Sequence, residues 1–277
     1  MNGNFRLPSE IPLNEWPSPE EFILEAKSLA QDARDRGLAL RIMGGMAIFL
    51  HSQEIRPLWE RLGRLGKKVF TDIDFVAYGK HRIKLLAFFR ERGYEVNQRL
   101  LYHYGKTRQI YHGPRIPMAE VFYDSLNMNH TVHYKNRLEK DFPTLPPAEL
   151  LLQKLQMVRM NEKDVKDSII LLRAHELGID DDNRINGDVL TSVLCGDWGF
   201  YHTAAENLKK IAGSLSGYDV LETEDREVVK ARAEALLRLL GETPKSGGFR
   251  LRAKLGTKVK WYNDVDDWDV IGGADGG

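Results

Sequence analysis

Two aspartates two positions apart, Asp72 and Asp74, stand in the apolar stretch VFTDIDFV. Alternate residues of a strand share a face, so both carboxylates would point the same way. Two such charges repel unless a cation neutralises them. Oxygen ligands of this kind suit Mg²⁺ or Mn²⁺. A solvated face at a sheet edge is the plain alternative. Aspartate is depleted in strands, and Phe70, Ile73 and Phe75 beside the pair weigh against that alternative. Gly44-Gly45 separates a short apolar run from an apolar helix start at Met46. Glycines there let backbone approach a phosphate, and the helix N-terminus behind them offers free N–H groups and a positive dipole end. Taken alone, the pair is a weak signal, since glycine pairs at strand ends are usually just turns. A third acid, Glu120, lies in MAEVFYD. On a strand it shares a face with Asp124 and could complete a carboxylate cluster from a neighbouring strand. Asp124 reads as the cap of that strand's end.

These residues need elements to hold them. Ser18 caps a helix with Pro19 first and Glu20 and Glu21 in its opening turn. Phe22, Ala26, Leu29, Ala30 and Ala33 follow at helical spacing, and Gly37 closes it. Leu38 to Met43 reads as a buried strand, Met46 onward as a helix, Pro57 to Leu65 as a second, and Val69 to Val76 as a strand. Lys80 to Arg92 is an amphipathic helix ended by Gly93. Tyr94–Gln98, Gln109–His112 and Met118–Tyr123 are further strands. Past Asp141 the pattern turns helical. Segments from Pro147, Asp164 to Leu177, Asn186 to Cys195, His202 to Ser214 and Thr223 to Leu240 read as helices, with no convincing strand among them. The expected architecture is α+β: a mixed sheet with flanking helices, followed by an all-helical domain. The expected division is an extended arm over 1–18, an α/β domain over 19–140, a helical domain over 141–242 and a charged segment over 243–277 whose end, GGADGG, reads as disordered.

A glycine pair after a strand, Asp-x-Asp on the next strand and an acid on a later one resemble the nucleotidyltransferase superfamily of DNA polymerase β type. The segment LPPAELLLQKLQMVRMNEKDVKDSIILL resembles the helical region of the AbiEii-type nucleotidyltransferase-like family. There a helix carries a lysine, matched by Lys154, and a Lys-Asp-x-x-Asp element follows, matched by Lys163-Asp164-Val165-Lys166-Asp167. The resemblance spans about residues 38–175. It implies a nucleotidyltransferase-fold domain and transfer of a nucleoside monophosphate from an NTP, with pyrophosphate released. It implies that Asp72, Asp74 and Glu120 serve Mg²⁺ (or Mn²⁺) and catalysis. It also implies that Gly44 and Gly45 cradle the triphosphate, that Lys154 neutralises phosphate charge, and that Asp167 orients Lys154 or touches the nucleotide. The acceptor it implies is an RNA, a protein or a small molecule. Three departures bear on activity: Met46 follows Gly45 where the family more often has Ser or Thr nearby, the interval from Gly45 to Asp72 is long, and the third acid is Glu rather than Asp. A non-catalytic nucleotide- or partner-binding module, such as a regulator or a toxin–antitoxin-like component, is the alternative on the same fold.

Other residues read as structural. His130 and His133 lack a third ligand at helical spacing and read as surface or strand-face histidines. Cys195 reads as a buried helix residue and Trp198 as a packing residue. Arg61, Arg64, Lys67 and Lys68 precede the Asp-x-Asp strand; some could approach the triphosphate, but the better reading is a solvated helix face. Between Lys245 and Lys260 there are six cations and no acid. This segment reads either as a contact for nucleic-acid phosphates or as a helix docking Leu251, Leu255, Val259 and Tyr262 with a solvated basic face.

Composition bounds the rest. The 277 residues are 42% hydrophobic, which excludes disorder of the whole chain. One cysteine excludes a disulfide scaffold. Forty Lys+Arg balance forty Asp+Glu, so no global field pulls the chain to nucleic acid or membrane. Without an apolar stretch of membrane-spanning length or an apolar signal core, the expectation is a cytoplasmic protein with no membrane partner.

Overall fold

The computed structural model describes residues 10–64 and 69–265. The chain runs α1 (Pro19–Asp35), β1 (Leu40–Ile42), α2 (Gly44–His51), α3 (Arg56–Leu62), β2 (Ile73–Ala77), α4 (Arg82–Glu91), β3 (Glu95–Val96), α5 (Gln98–Tyr104), β4 (Arg108–His112), β5 (Ala119–Tyr123), β6 (Ser125–Asn127) and β7 (Thr131–His133). It continues through α6 (Pro147–Leu155), α7 (Glu162–Ala174), β8 (Leu177–Gly178), β9 (Ile185–Asn186), α8 (Gly187–Leu194), α9 (Trp198–Ser214), α10 (Thr223–Glu242) and α11 (Gly247–Leu255). The protein is α+β: a five-stranded mixed sheet with flanking helices, then a helical region. No helix among the described residues is long and apolar enough to cross a membrane.

The sheet has the order β1-β2-β5-β4-β3. Only β2 and β5 pair in parallel; the other neighbours are antiparallel. Every residue of β5 is buried, as an apolar run covered on both faces must be. The expected start of α1 is built as read: Ser18 and Glu21 form a reciprocal capping box, Pro19 sits in the first turn, and Gly37 leaves at φ +69°. Phe22, Ala26, Leu29, Ala30 and Ala33 are buried, so the apolar stripe faces the sheet's first strand. Asp124 ends β5 in the left-handed region at φ +63° and accepts a hydrogen bond from Gly79 N at 2.9 Å. It caps the strand, as expected.

Four local expectations need correction. The strand expected over 69–76 begins at Ile73, so Asp72 stands one residue before it. The strand expected over 94–98 is two residues long and gives way to α5, because the Asn97 side chain caps that helix by accepting from Arg99 N and Leu100 N. The helical half contains one short parallel pair, β8 with β9. Near the C-terminus Phe249, not the expected stripe, is buried on α11, and Leu251 is 67% exposed. Residues 1–9, half of the expected arm, and GGADGG lie outside the described residues. The arm's remainder is anchored: Trp16 donates from Nε1 to Phe70 O at 3.1 Å.

Two stitches place the helical region against the sheet. Ile42 of β1 bridges Thr144 in parallel, with Ile42 N donating to Pro143 O and Leu145 N to Ile42 O. Helix α6, buried along its whole length, packs on α2 and α7. One continuous apolar core runs from Phe22 to Leu240.

Candidate active site

The turn from β1 into α2 makes the first wall of a cleft. Gly44 has φ +65°, a left-handed conformation that favours glycine. Its N–H donates to Gln153 Oε1 at 3.2 Å, and Gln153 Nε2 donates to the Tyr134 hydroxyl. The turn is thereby held from behind by α6. A Cβ on Gly44 would lie 2.7 Å from Asp74 Oδ2. The glycine is thus required both by φ and by the close approach of a carboxylate.

Asp72 and Asp74 form the floor. Met43 N donates to Asp74 O, tying the end of β1 to β2. Thr71 Oγ1 donates to Asp72 Oδ1 at 3.2 Å. Burial pushes the Asp72 carboxyl above the usual range, opposed by Thr71 and by the charges of Arg64, Arg108 and Lys163. Asp74 is pushed well above it, first by burial and then by the charges of Asp72 and Glu120, with Arg108 and Lys154 opposing. The two acids crowd each other in a confined site. Together with Met43, Gly45, Arg64 and Lys163 they line a polar cleft of about 80 Å³.

The cations around it are arranged differently from the expectation. Lys154 is buried, with Nζ 2.9 Å from Asp167 Oδ2 and 3.2 Å from Asp164 Oδ1. Asp167, 1% exposed, also accepts from Arg64 Nε at 2.5 Å. Burial pushes Asp167 up, but Lys154 and Arg64 outweigh it and hold its carboxyl below the ordinary value. The Arg64 guanidinium in turn covers Gly45, where a Cβ would lie 2.5–2.8 Å from it. Arg64 is therefore no solvated helix face. It lines the cleft, and so does the exposed Lys163. Lys154 stands one layer behind as the counter-ion of Asp167 and Asp164. Arg61 faces Glu222 at 4.0 Å. Lys67 and Lys68 lie outside the described residues.

Glu120 is in register with Asp74 across the parallel β2–β5 pair. Its side chain is engaged by Arg108 of β4: Oε2 accepts from Nε at 2.9 Å and from Nη2 as well. Among the described residues, no group of three or more acidic, histidine or cysteine side chains is placed to hold a metal ion. Asp72 and Asp74 by themselves fit a divalent cation. They are all-oxygen donors lining one cleft, and the charge of Asp72 raises the cost of ionising Asp74 in the absence of a cation.

The remaining candidates are structural. His130 is buried, not on the surface: it stacks on Phe200 and bonds Thr203 Oγ1 at 2.8 Å, while His133 is exposed on β7. Cys195 is buried at the end of α8. Trp198 stacks on His202 and carries Arg252 over its ring. A wider concavity, about 1310 Å³, lies at the far end of α2 around His51, Asp141 and Phe142. There His51 Nε2 alone meets Asp141 Oδ2, Thr144 Oγ1 and Leu145 O. One ring nitrogen holding all three partners is a staple for the turn, not a proton relay, so chemistry favours the small cleft over the large groove.

No family model matches the chain, and no curated protein matches it. Among solved structures, the chain is similar to an antigenic nucleotidyltransferase-like protein from Paracoccidioides brasiliensis, at a TM-score of 0.44 and 17% identity over 78% of this chain and 95% of that one. It is also similar to the antibiotic-resistance factor ANT(2'')-Ia, at a TM-score of 0.32 and 15% identity over 80% of this chain and 95% of that one. Both likenesses are distant, and what the cleft can do rests on its own geometry.

Proposed function

We propose that the protein transfers a nucleoside monophosphate from an NTP to an acceptor, using Mg²⁺ held by Asp72 and Asp74. One observation carries the reading. Two enclosed carboxylates open into the same small cleft as a glycine turn at a helix N-terminus and the cations Arg64 and Lys163. A divalent ion bound there supplies Lewis-acid stabilisation of charge on a phosphoryl oxygen. Gly45 lets the triphosphate come close to the start of α2, whose N–H groups and dipole favour an anion. Arg64, locked by Asp167, gives a planar cation of fixed orientation. Lys163 gives a mobile one at the rim. Lys154 keeps Asp167, and through it Arg64, in place. An RNA, a protein or a small molecule would be the acceptor.

The test is calorimetric titration of each NTP with and without Mg²⁺, for the wild type and the Asp72→Asn/Asp74→Asn double variant. Metal-dependent binding lost in the double variant, and pyrophosphate release from labelled NTP lost in Asp72→Asn, are expected. Full activity of Asp72→Asn would sink the assignment.

The engagement of Glu120 by Arg108 favours a second reading, a non-catalytic nucleotide- or partner-binding module on the same fold. Triphosphate binding that persists without metal, with no pyrophosphate released for any acceptor, would select it.

A further inference from the structure

Helix α2 starts differently from the capped helices of the chain. In α1, α5, α7, α8, α9, α10 and α11 the N-cap side chain accepts from the N–H of the second or third helical residue, or from both. Met43, the N-cap of α2, makes no such bond. The cap of α2 comes from 109 residues away: Gln153 Oε1 accepts from the N–H of Gly44, the first helical residue, at 3.2 Å. That N–H is only a donor, so it must face Oε1, and Nε2 is left to donate to the Tyr134 hydroxyl at 3.0 Å. Gln153 and Tyr134 are both buried. The first four N–H groups of a helix have no partner within it. An ordinary cap occupies those of the second and third residues. This one occupies the first, and so leaves those of Gly45 and Met46, two residues that line the cleft.

We infer that Gln153 is a positioning residue for the nucleotide: by holding Gly44 from α6, it sets the glycine turn beside Asp74 and keeps the N–H groups of Gly45 and Met46 open to the phosphates. The inference rests on the nucleotide-binding reading above. The placement is tight on the other side, since a Cβ on Gly44 would lie 2.7 Å from Asp74 Oδ2. A turn released from Gln153 would shift against that carboxylate, and the phosphates and the metal would lose their common geometry. Tyr134 acts through Gln153: by accepting from Nε2 it keeps Oε1 on Gly44. Asp72 and Asp74 are held by other contacts, so the loss of Gln153 falls on the anion and spares the metal.

Calorimetric titration of Mn²⁺ alone, and of inorganic tripolyphosphate with Mg²⁺, into the full chain tests this. Gln153→Met keeps the length of the side chain and offers Gly44 only a weak acceptor. It is expected to bind Mn²⁺ within about twofold of the wild type and tripolyphosphate about fivefold more weakly or worse, the loss of one hydrogen bond. Tyr134→Phe is expected to weaken tripolyphosphate by about two- to threefold, and to add nothing in the Gln153→Met background, because effects that run through one residue are not additive. Unchanged tripolyphosphate affinity in a folded Gln153→Met, equal losses of Mn²⁺ and tripolyphosphate, or losses at the two positions that multiply in the double variant would each overturn the positioning role while leaving the nucleotide reading standing. If Gln153→Met does not fold, Tyr134→Phe carries the test, and unchanged affinity there overturns the inference. A wild type that binds neither probe would overturn both.

Discussion

Arg64 and Asp167, 103 residues apart, meet through a 2.5 Å hydrogen bond from Nε to Oδ1, and this contact lays the guanidinium against Gly45. A methyl group at position 45 would meet the far end of a long side chain, which can swing aside. Gly45→Ala should therefore melt within a few degrees of the wild type. It should weaken NTP binding by about tenfold or more, roughly 1.4 kcal/mol, because the displaced cation no longer faces the cleft. Calorimetric titration alongside a thermal melt separates the two effects.

Lys154 and Lys163 should part company when each is removed. Lys154→Met leaves Asp167 and Asp164 buried with one cation fewer, and breaking such a pair costs about 3–5 kcal/mol. Lys163→Ala touches an exposed side chain and should stay within about 0.5 kcal/mol in stability while lowering triphosphate affinity. Urea unfolding and NTP titration of both variants check this. Equal losses of stability would show the assignment of the two lysines to be wrong.

Asp74 should be a residue that function keeps at the expense of stability. Burial, then the charges of Asp72 and Glu120, push its carboxyl well above the ordinary value. A group raised in the folded state stabilises it fully below the unfolded pKa, about 3.9. That stability is lost as pH rises through the folded pKa. Asp74→Asn should therefore melt higher than the wild type at pH 8, with the gap closing toward pH 4. Mg²⁺ should raise the melting temperature of the wild type and not of the variant. Melts across pH, with and without the metal, read both effects.

The legible parts of the site were those whose chemistry is local in sequence. Asp-x-Asp within an apolar run and Gly-Gly at a strand end carry their meaning in adjacent residues, and the fold places them together through the β1–β2 pairing. Lys154 and Asp167 are two positions on α6 and α7 that do meet, as their family-like spacing implied, but as a buried pair. What stayed hidden came from afar. Arg64 needs Asp167 to turn it inward, Gln153 reaches the glycine turn from α6, and Arg108 approaches Glu120 from the next strand. None of these has a periodicity or motif that announces it. Helix α5 is a different case: Asn97 before it and Gly105 after it are ordinary cap signals, and the strand expected over 94–98 ran through the first of them.

Acid should weaken the fold through two histidines. Burial pushes His130 and His175 down to about 4 from 6.5. A histidine kept neutral in this way contributes stability that is complete above pH 6.5 and lost as pH falls through 4. Between pH 7 and 5 each accounts for a loss of roughly 2 kcal/mol. Replacing His130 with Phe, which can still stack on Phe200, should remove about half of that slope in urea unfolding. An unchanged slope would mean that burial does not lower the ring's pKa in the native state.

The segment joining the sheet to α6 behaves as fabric, not as a hinge. Ile42 shares hydrogen bonds with both Pro143 and Leu145, so the passage from one half to the other is woven into the edge of the sheet. Prising the halves apart would tear that selvedge before it widened the cleft. Adaptation to a substrate is thereby left to single side chains that pivot in place, and the rigid weave behind them keeps each pivot at a fixed address.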